Sequence, residues 1–259
     1  EYLGFTAKID YATTSNTGYS SVVNPFDYAY STTRTMPAYN EDGSYYMSYR
    51  AAGSTGRDYI GYNILKELKN TGKSSKMDDF NALLASRLKL WKGLKYEGTF
   101  SWHTGNTNTR DWATAQSYKV TEIRGYEYGA YTEYDPEFSD SRLPYGGMLT
   151  QGSTRKSGYT LRNMLSYSHL FGAHDVSVSA GTEARRNEYK GVSTTGYGWV
   201  PEFGEMFSPV ETPSYISTYG GNKPTNTNSF TQVASFFGIA SYCYRSEERR
   251  VGKECRSRW

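Results

Sequence analysis

No run of about 18 apolar residues occurs in the 259-residue chain, so no transmembrane helix is present. No basic-then-apolar segment stands at the N-terminus, so no signal peptide is visible. Cysteine is nearly absent: Cys243 and Cys255 are too few for a disulfide framework or a thiolate metal site. Histidine is equally sparse. His103, His169 and His174 have no metal-ligand spacing, and no Ser or Cys beside them forms a nucleophile motif. Gly146-Gly147 is a turn, because no strand–glycine loop–helix with a Lys follows. No catalytic constellation and no cofactor is therefore expected, and the chain is read as a non-enzyme. His174 reads as a solvated or capping turn residue. Asp135, Glu137 and Asp140 read as a charged loop in preference to a Ca²⁺ site.

Net charge is also largely missing. The formal +3 resides in residues 245–259, RSEERRVGKECRSRW, with six Lys/Arg against three Glu; the remainder is neutral. This tail has no strand or helix period. It resembles the translation of a sequencing-library adapter, and is expected to be a non-native, disordered appendage to a 1–244 domain. No basic arm for nucleic acid remains once it is set aside.

What the chain has in abundance is aromatic residues, 16% of the total, with 26 Tyr and 26 Gly. The clearest pattern runs from 79 to 103. Side chains on a strand alternate faces with period two. Phe80, Ala82, Leu84, Leu88 and Leu90 share one face, against Asn81, Arg87 and Lys89. After Lys92-Gly93, Leu94, Tyr96, Phe100 and Trp102 oppose Lys95, Glu97, Thr99, Ser101 and His103. Gly tolerates the positive φ of a tight turn. The arms exceed the usual strand of about five or six residues and match the roughly 9–11 of a tilted membrane strand. In outer-membrane barrels the apolar face meets lipid, aromatic girdles mark the interfaces, and the lumen is polar. Trp91, Trp102, Phe80 and Tyr96 fit such a girdle.

Similar alternation recurs in 2–12, 159–171 and 176–184, and less cleanly in 230–244. The chain begins inside an alternating strand, which leads us to expect a cut N-terminus. The connections 13–76, 105–156 and 193–229 are long; Lys92-Gly93 and residues 172–175 are short. Within the first connection, Ile64, Leu65 and Leu68 at helical spacing predict a short helix over 63–70. Six strands joined in the order long, short, long, short, long fit a barrel with long extracellular loops and short periplasmic turns. The fold class expected is all-β: a partial transmembrane antiparallel β-barrel of about six strands, open as a sheet.

Several stretches resemble the SusC/RagA branch of TonB-dependent outer-membrane transporters of Bacteroidetes. They are Asn24-Pro25-Phe26 with residues 37–43 (PAYNEDG), Asn63-Ile64-Leu65 into Leu68, and Trp91-Lys92-Gly93-Leu94-Lys95. Ser117-Tyr118, Arg124-Gly125, residues 143–147 (LPYGG), Arg162-Asn163 and His174-Asp175 continue it. Gly181-Thr182-Glu183 into Arg185, then Ser235-Phe236-Phe237-Gly238 into Ser241-Tyr242, complete it over residues 1–244. Ile64 departs from the family's frequent Pro. The resemblance implies a plugged barrel of about 22 strands that imports oligosaccharides or peptides across the outer membrane. It implies energy from a TonB complex and a SusD-like surface lipoprotein as partner. The signal peptide, plug and TonB-contacting segment are not among these residues. Two alternatives share the alternation: a non-transporting adhesin or autotransporter barrel, and a soluble secreted glycan-binding β-protein.

Loop aromatics are the candidate ligand-binding residues, because a ring face stacks on apolar sugar faces while Tyr keeps a hydroxyl. Trp112, Tyr126, Tyr128, Tyr145 and Trp199, with Tyr131, Tyr215 and Tyr219, are placed in the extracellular loops. Arg87, Lys89, Lys95, Glu97, Arg162, Glu183 and Arg185 are placed on the lumen- or plug-facing side.

Overall fold

The computed structural model describes residues 2–52, 58–208 and 211–244. The tail 245–259, with Cys255, lies outside the described residues. Six long strands form an antiparallel half-barrel sheet. In chain order the elements are β1 (Leu3–Gly18), α1 (Pro25–Ser31), β2 (Ser48–Ala52), β3 (Asp58–Tyr62) and α2 (Ile64–Asn70). Then come β4 (Thr71–Trp91), β5 (Leu94–Ala113), α3 (Tyr118–Arg124), α4 (Pro136–Asp140), β6 (Gly147–Phe171) and β7 (His174–Val200). A 3₁₀ turn (Pro201–Phe203), β8 (Met206–Phe207), α5 (Pro213–Tyr219) and β9 (Thr225–Tyr244) complete the chain. The long strands pair in the order β1-β4-β5-β6-β7-β9, each beside its sequence neighbour, while β2 and β3 form a separate hairpin.

Register explains the two faces. Ala7, Leu84, Phe100, Leu161, Ala184 and Ala234 form one row across the sheet. The adjacent row, Thr6, Ala85, Thr99, Arg162, Glu183 and Ser235, points the other way. Among the described residues, no second layer covers the apolar face. Ile9 is 70% exposed and Phe236 84%. Phe80 and Trp102 meet edge to face at 5.5 Å on it. At the tight-turn end Tyr167, His169 and Phe171 stack along β6, and His174 packs against Tyr242 and Tyr244. Thus β9, whose sequence divides poorly, alternates in register with the rest.

The connections follow the expected order. Lys92-Gly93 and Gly172-Ala173 close the short turns, with Gly93 at φ +82° and Gly172 at +62°. The helix foreseen at 63–70 is α2. The Asn63 side chain accepts from the Leu65 and Lys66 amides at 2.9 and 3.1 Å, an N-cap. His174 begins β7, with Nδ1 2.6 Å from the Tyr242 hydroxyl.

Strand length needs correction. The six strands run 16 to 27 residues, well past the expected ends. On the face that carries the apolar residues, the row Thr13, Asp78, Asn106, Arg155, Lys190 and Asn228 remains paired although every member is polar. Apolar alternation therefore marks only part of each strand. The rest looks like loop in sequence because the backbone ladder leaves no mark on polar side chains.

The buried core sits at the long-connection end. Ala113, Val120 and Leu143 are its centre, with Ile123, Met148, Tyr197 and Tyr215 packed around them. Ala113, Met148 and Tyr197 share one register row. Alternation from Lys95, Arg162 and Glu183 puts that row on the polar face. α3 and α5 thus fold over the polar-face mouth of the half-barrel.

Candidate functional site

α3 is capped by Ser117, whose hydroxyl accepts from the Val120 amide at 3.2 Å, and ends at Gly125 with φ +94°. This fixes Arg124 at the helix C-terminus, where a cation meets the negative end of the dipole. Arg124 is 3% exposed. Its guanidinium carbon lies 5.9 Å from the Tyr126 ring and 5.4 Å from that of Tyr128. Its Nη2 approaches the Gly146 carbonyl at 3.5 Å. Burial pushes its pKa down. Glu127 turns away: its carboxylate accepts from the Gly61 amide at 2.9 Å and lies 3.9 Å from Lys66 Nζ.

A cleft of about 420 Å³ opens beside this arginine. Tyr128, Tyr145, Gly146, Trp199 and Phe203 form its apolar and aromatic wall, and Asn70, Gln116 and Glu202 add polar groups. Its size and lining fit a small-molecule or short-segment site. Asn70 is held in place by Thr114, whose amide and hydroxyl both donate to it at 2.8 Å. Trp199 is 4% exposed and its register partners are Gly147 and Phe207.

α2 and α3 are joined by a buried carboxyl. Glu67, 2% exposed, accepts from the Tyr118 amide at the start of α3. Burial raises its pKa to about 7, although the Tyr118 amide and Lys66 pull the other way. The Tyr219 ring stacks on Tyr197 at 3.8 Å, and burial lifts its pKa to about 12. Asp135 is engaged in a local turn, accepting from the Thr132 amide and hydroxyl at 2.7 and 2.9 Å. These bonds hold its pKa below the usual carboxylate range.

The cleft brings together three of the five singled-out aromatics: Tyr128, Tyr145 and Trp199. Tyr126 is outside its lining, edge-on to Tyr131 at 4.9 Å. Trp112 is elsewhere, in β5, with its ring over Gly72 so closely that a Cβ there would lie 2.3 Å from Cζ2. Trp112 and Trp199 were placed in loops; both belong to the polar extensions of strands. From sequence, Arg124 enters only with Gly125 in the family resemblance and Glu67 only as part of the helix over 63–70; neither they nor Glu202 are site candidates there. Nothing in their local pattern signals burial or a cleft.

The charged candidates share the polar face. Arg87 opposes Glu97, Lys89 opposes Lys95, and Arg162 opposes Glu183 in register. Arg87 Nε lies 3.4 Å from Glu97, and Arg185 Nη2 lies 3.0 Å from Glu183. The Arg162 guanidinium carbon sits 5.2 Å over the Phe237 ring. These residues line the sheet away from the cleft.

No protein-family model and no curated protein matches this sequence. Among solved structures, the fold is similar to that of the RagAB peptide transporter, with a TM-score of 0.62 at 16% identity. Chains of the RagAB peptide importer in its closed-closed and open-open states give TM-scores of 0.64 and 0.63 at 16% and 17% identity. Each match covers 94% of this chain and 24% of the other. The chain therefore spans about a quarter of the length of those it resembles.

Proposed function

We infer that this chain forms part of the wall of an outer-membrane β-barrel that imports peptides or oligosaccharides in a TonB-dependent manner. The observation that carries the reading is the apolar face without a covering layer, combined with every long connection lying at one end. Tyr159 and Phe171 lie twelve residues apart on β6. At about 3.3 Å per residue and a tilt of about 45°, they span roughly 28 Å, close to the ~25 Å apolar band of such barrels. In water this face would be an aggregation surface; in lipid it is the favoured outer surface.

The polar face, with Arg87, Lys89, Lys95, Glu97, Arg162, Glu183 and Arg185, then faces a water-filled or plugged lumen. β1 and β9 each have a single long neighbour, leaving two edges that need further strands before lipid can surround them. The fold likeness to RagAB chains supports an importer, and their peptide cargo supports peptide over glycan. A SusD-like lipoprotein over the mouth and a TonB complex complete the proposal. The chain acts as a transporter rather than an enzyme, and residues 245–259 take no part in it.

The test is uptake. Deleting the gene should abolish import of labelled peptides, with the protein recovered in the outer-membrane fraction. Recovery in the soluble fraction, or uptake unchanged by the deletion, would overturn the reading.

A further inference from the structure

One unpaired donor lines the cleft and others lie behind its wall. Arg124 Nε and Nη1 are buried and meet no hydrogen-bond partner among the described residues. Nη2 has only the long contact to Gly146. Trp199 Nε1 is likewise buried without a partner among them. Unpaired buried donors are costly, and an uncompensated buried charge more so. The acids nearest in sequence are engaged elsewhere, Glu122 with Lys119 and Glu127 with Gly61 and Lys66. Gly146, Tyr128 and Trp199 all line the cleft, so the arginine lies directly behind its wall. Tyr128 is 54% exposed, so its ring is not locked by packing.

Both unpaired groups donate, so the missing partner is an acceptor; one of them is a cation, so the acceptor is anionic. A guanidinium matches a planar carboxylate by two parallel bonds. The geometry points to a carboxylate-binding site at the Gly146 side of the cleft, with Arg124 as the ion partner and Trp199 as a second donor. The Tyr128 ring turns aside to admit the ligand. Glu202, the one charged residue lining the cleft, is exposed and faces a ligand's far end. A peptide presents an ammonium there; a uronic acid does not. The site stands on the cleft alone, whereas its ligand being cargo rests on the import reading.

The experiment is calorimetric titration of the full-length protein in detergent. The probes are trialanine with a free C-terminus, its C-terminal amide, and digalacturonic acid. The free acid should bind at least tenfold more tightly than the amide. Arg124→Met should erase that preference, Arg124→Lys should retain part of it, and Trp199→Phe should weaken the acid several-fold. If Arg124→Met fails to fold by circular dichroism, the acid–amide comparison on the natural protein and Trp199→Phe decide. Glu202→Gln should weaken trialanine but not the uronate. Binding of the uronate alone keeps the carboxylate site and makes its source acidic sugar. Measurable binding of acid and amide with equal affinity, binding of no probe, or an Arg124→Met variant that keeps the preference would overturn the site. Uptake is measured separately, so an intact carboxylate preference with unaffected uptake sinks the import reading and leaves the site standing.

Discussion

The lower and upper parts of the same six strands obey different rules. Toward the tight turns, one face carries rows such as Ala7, Leu84, Phe100, Leu161, Ala184 and Ala234, over which none of the described elements packs. Toward the long connections, the same face carries Thr13, Asp78, Asn106, Arg155, Lys190 and Asn228. The hydrogen-bond ladder runs unbroken through both. Side-chain polarity changes between the two parts while backbone pairing does not. The opposite face differs again at its upper end, where Val120 and Leu143 are fully buried under the connections. On the proposed reading the lower part meets lipid, while the upper part is covered by its own connections.

The sharpest way to break that comparison is to place one charge in each part of β6, on the same face. Leu165→Arg should cost about 2–4 kcal/mol for protein folded in lipid, and Ser153→Arg within about 0.5 kcal/mol. Urea titration in vesicles reads both. Equal costs would mean that no lipid meets the lower face.

The next effect tests the loop-covered part. Glu67 has a folded pKa raised to about 7 against an ordinary 4.5. Between those values the folded state holds the proton more tightly than the unfolded state does. Stability is therefore fully present below about pH 4.5 and declines as pH rises through about 7. The loss should approach about 3 kcal/mol by pH 8. Glu67→Gln keeps an acceptor for the Tyr118 amide and should remove this slope. Parallel slopes for both proteins, from denaturant melts across pH 4.5–8, would show that Glu67 is not buried as described.

Smaller still is the tight turn. A Cβ on Gly93 would lie 2.2 Å from the Ser168 carbonyl oxygen, and φ is +82°. Gly93→Ala should cost about 1–3 kcal/mol, measured in the same vesicles. Smallest is the polar face: Arg87 and Glu97 are paired at 3.4 Å with side chains 81% and 39% exposed. Arg87→Ala should change stability by less than about 0.5 kcal/mol. A larger loss would mean that the pair is enclosed rather than wetted.

The comparison also explains which parts of the fold were readable. Phe80, Leu84, Phe100, Leu161 and Val178 alternate with polar neighbours, and alternation is visible in one dimension. The helix at Asn63 was readable for a similar reason: its cap and its Ile64, Leu65 and Leu68 spacing are local. Arg110, Asp111 and Trp112, or Thr194 and Thr195, show no such contrast, so their strands were read as loops. Trp112 and Trp199 were singled out as aromatics, but only pairing shows that both belong to strands.

By itself the sequence determined the class, the number of long strands, the two short turns and the shared face of Arg87, Lys89, Lys95, Glu97, Arg162, Glu183 and Arg185. These follow from period-two alternation and from glycine at positive φ, both of which are local. Only the tertiary structure decided how far each strand runs, that the connections fold over the polar mouth, and that Tyr128, Tyr145 and Trp199 meet around a cleft backed by Arg124. Those outcomes depend on contacts between residues distant in the chain, such as Arg124 with Gly146 and Glu67 with Tyr118, and no local pattern encodes such partners.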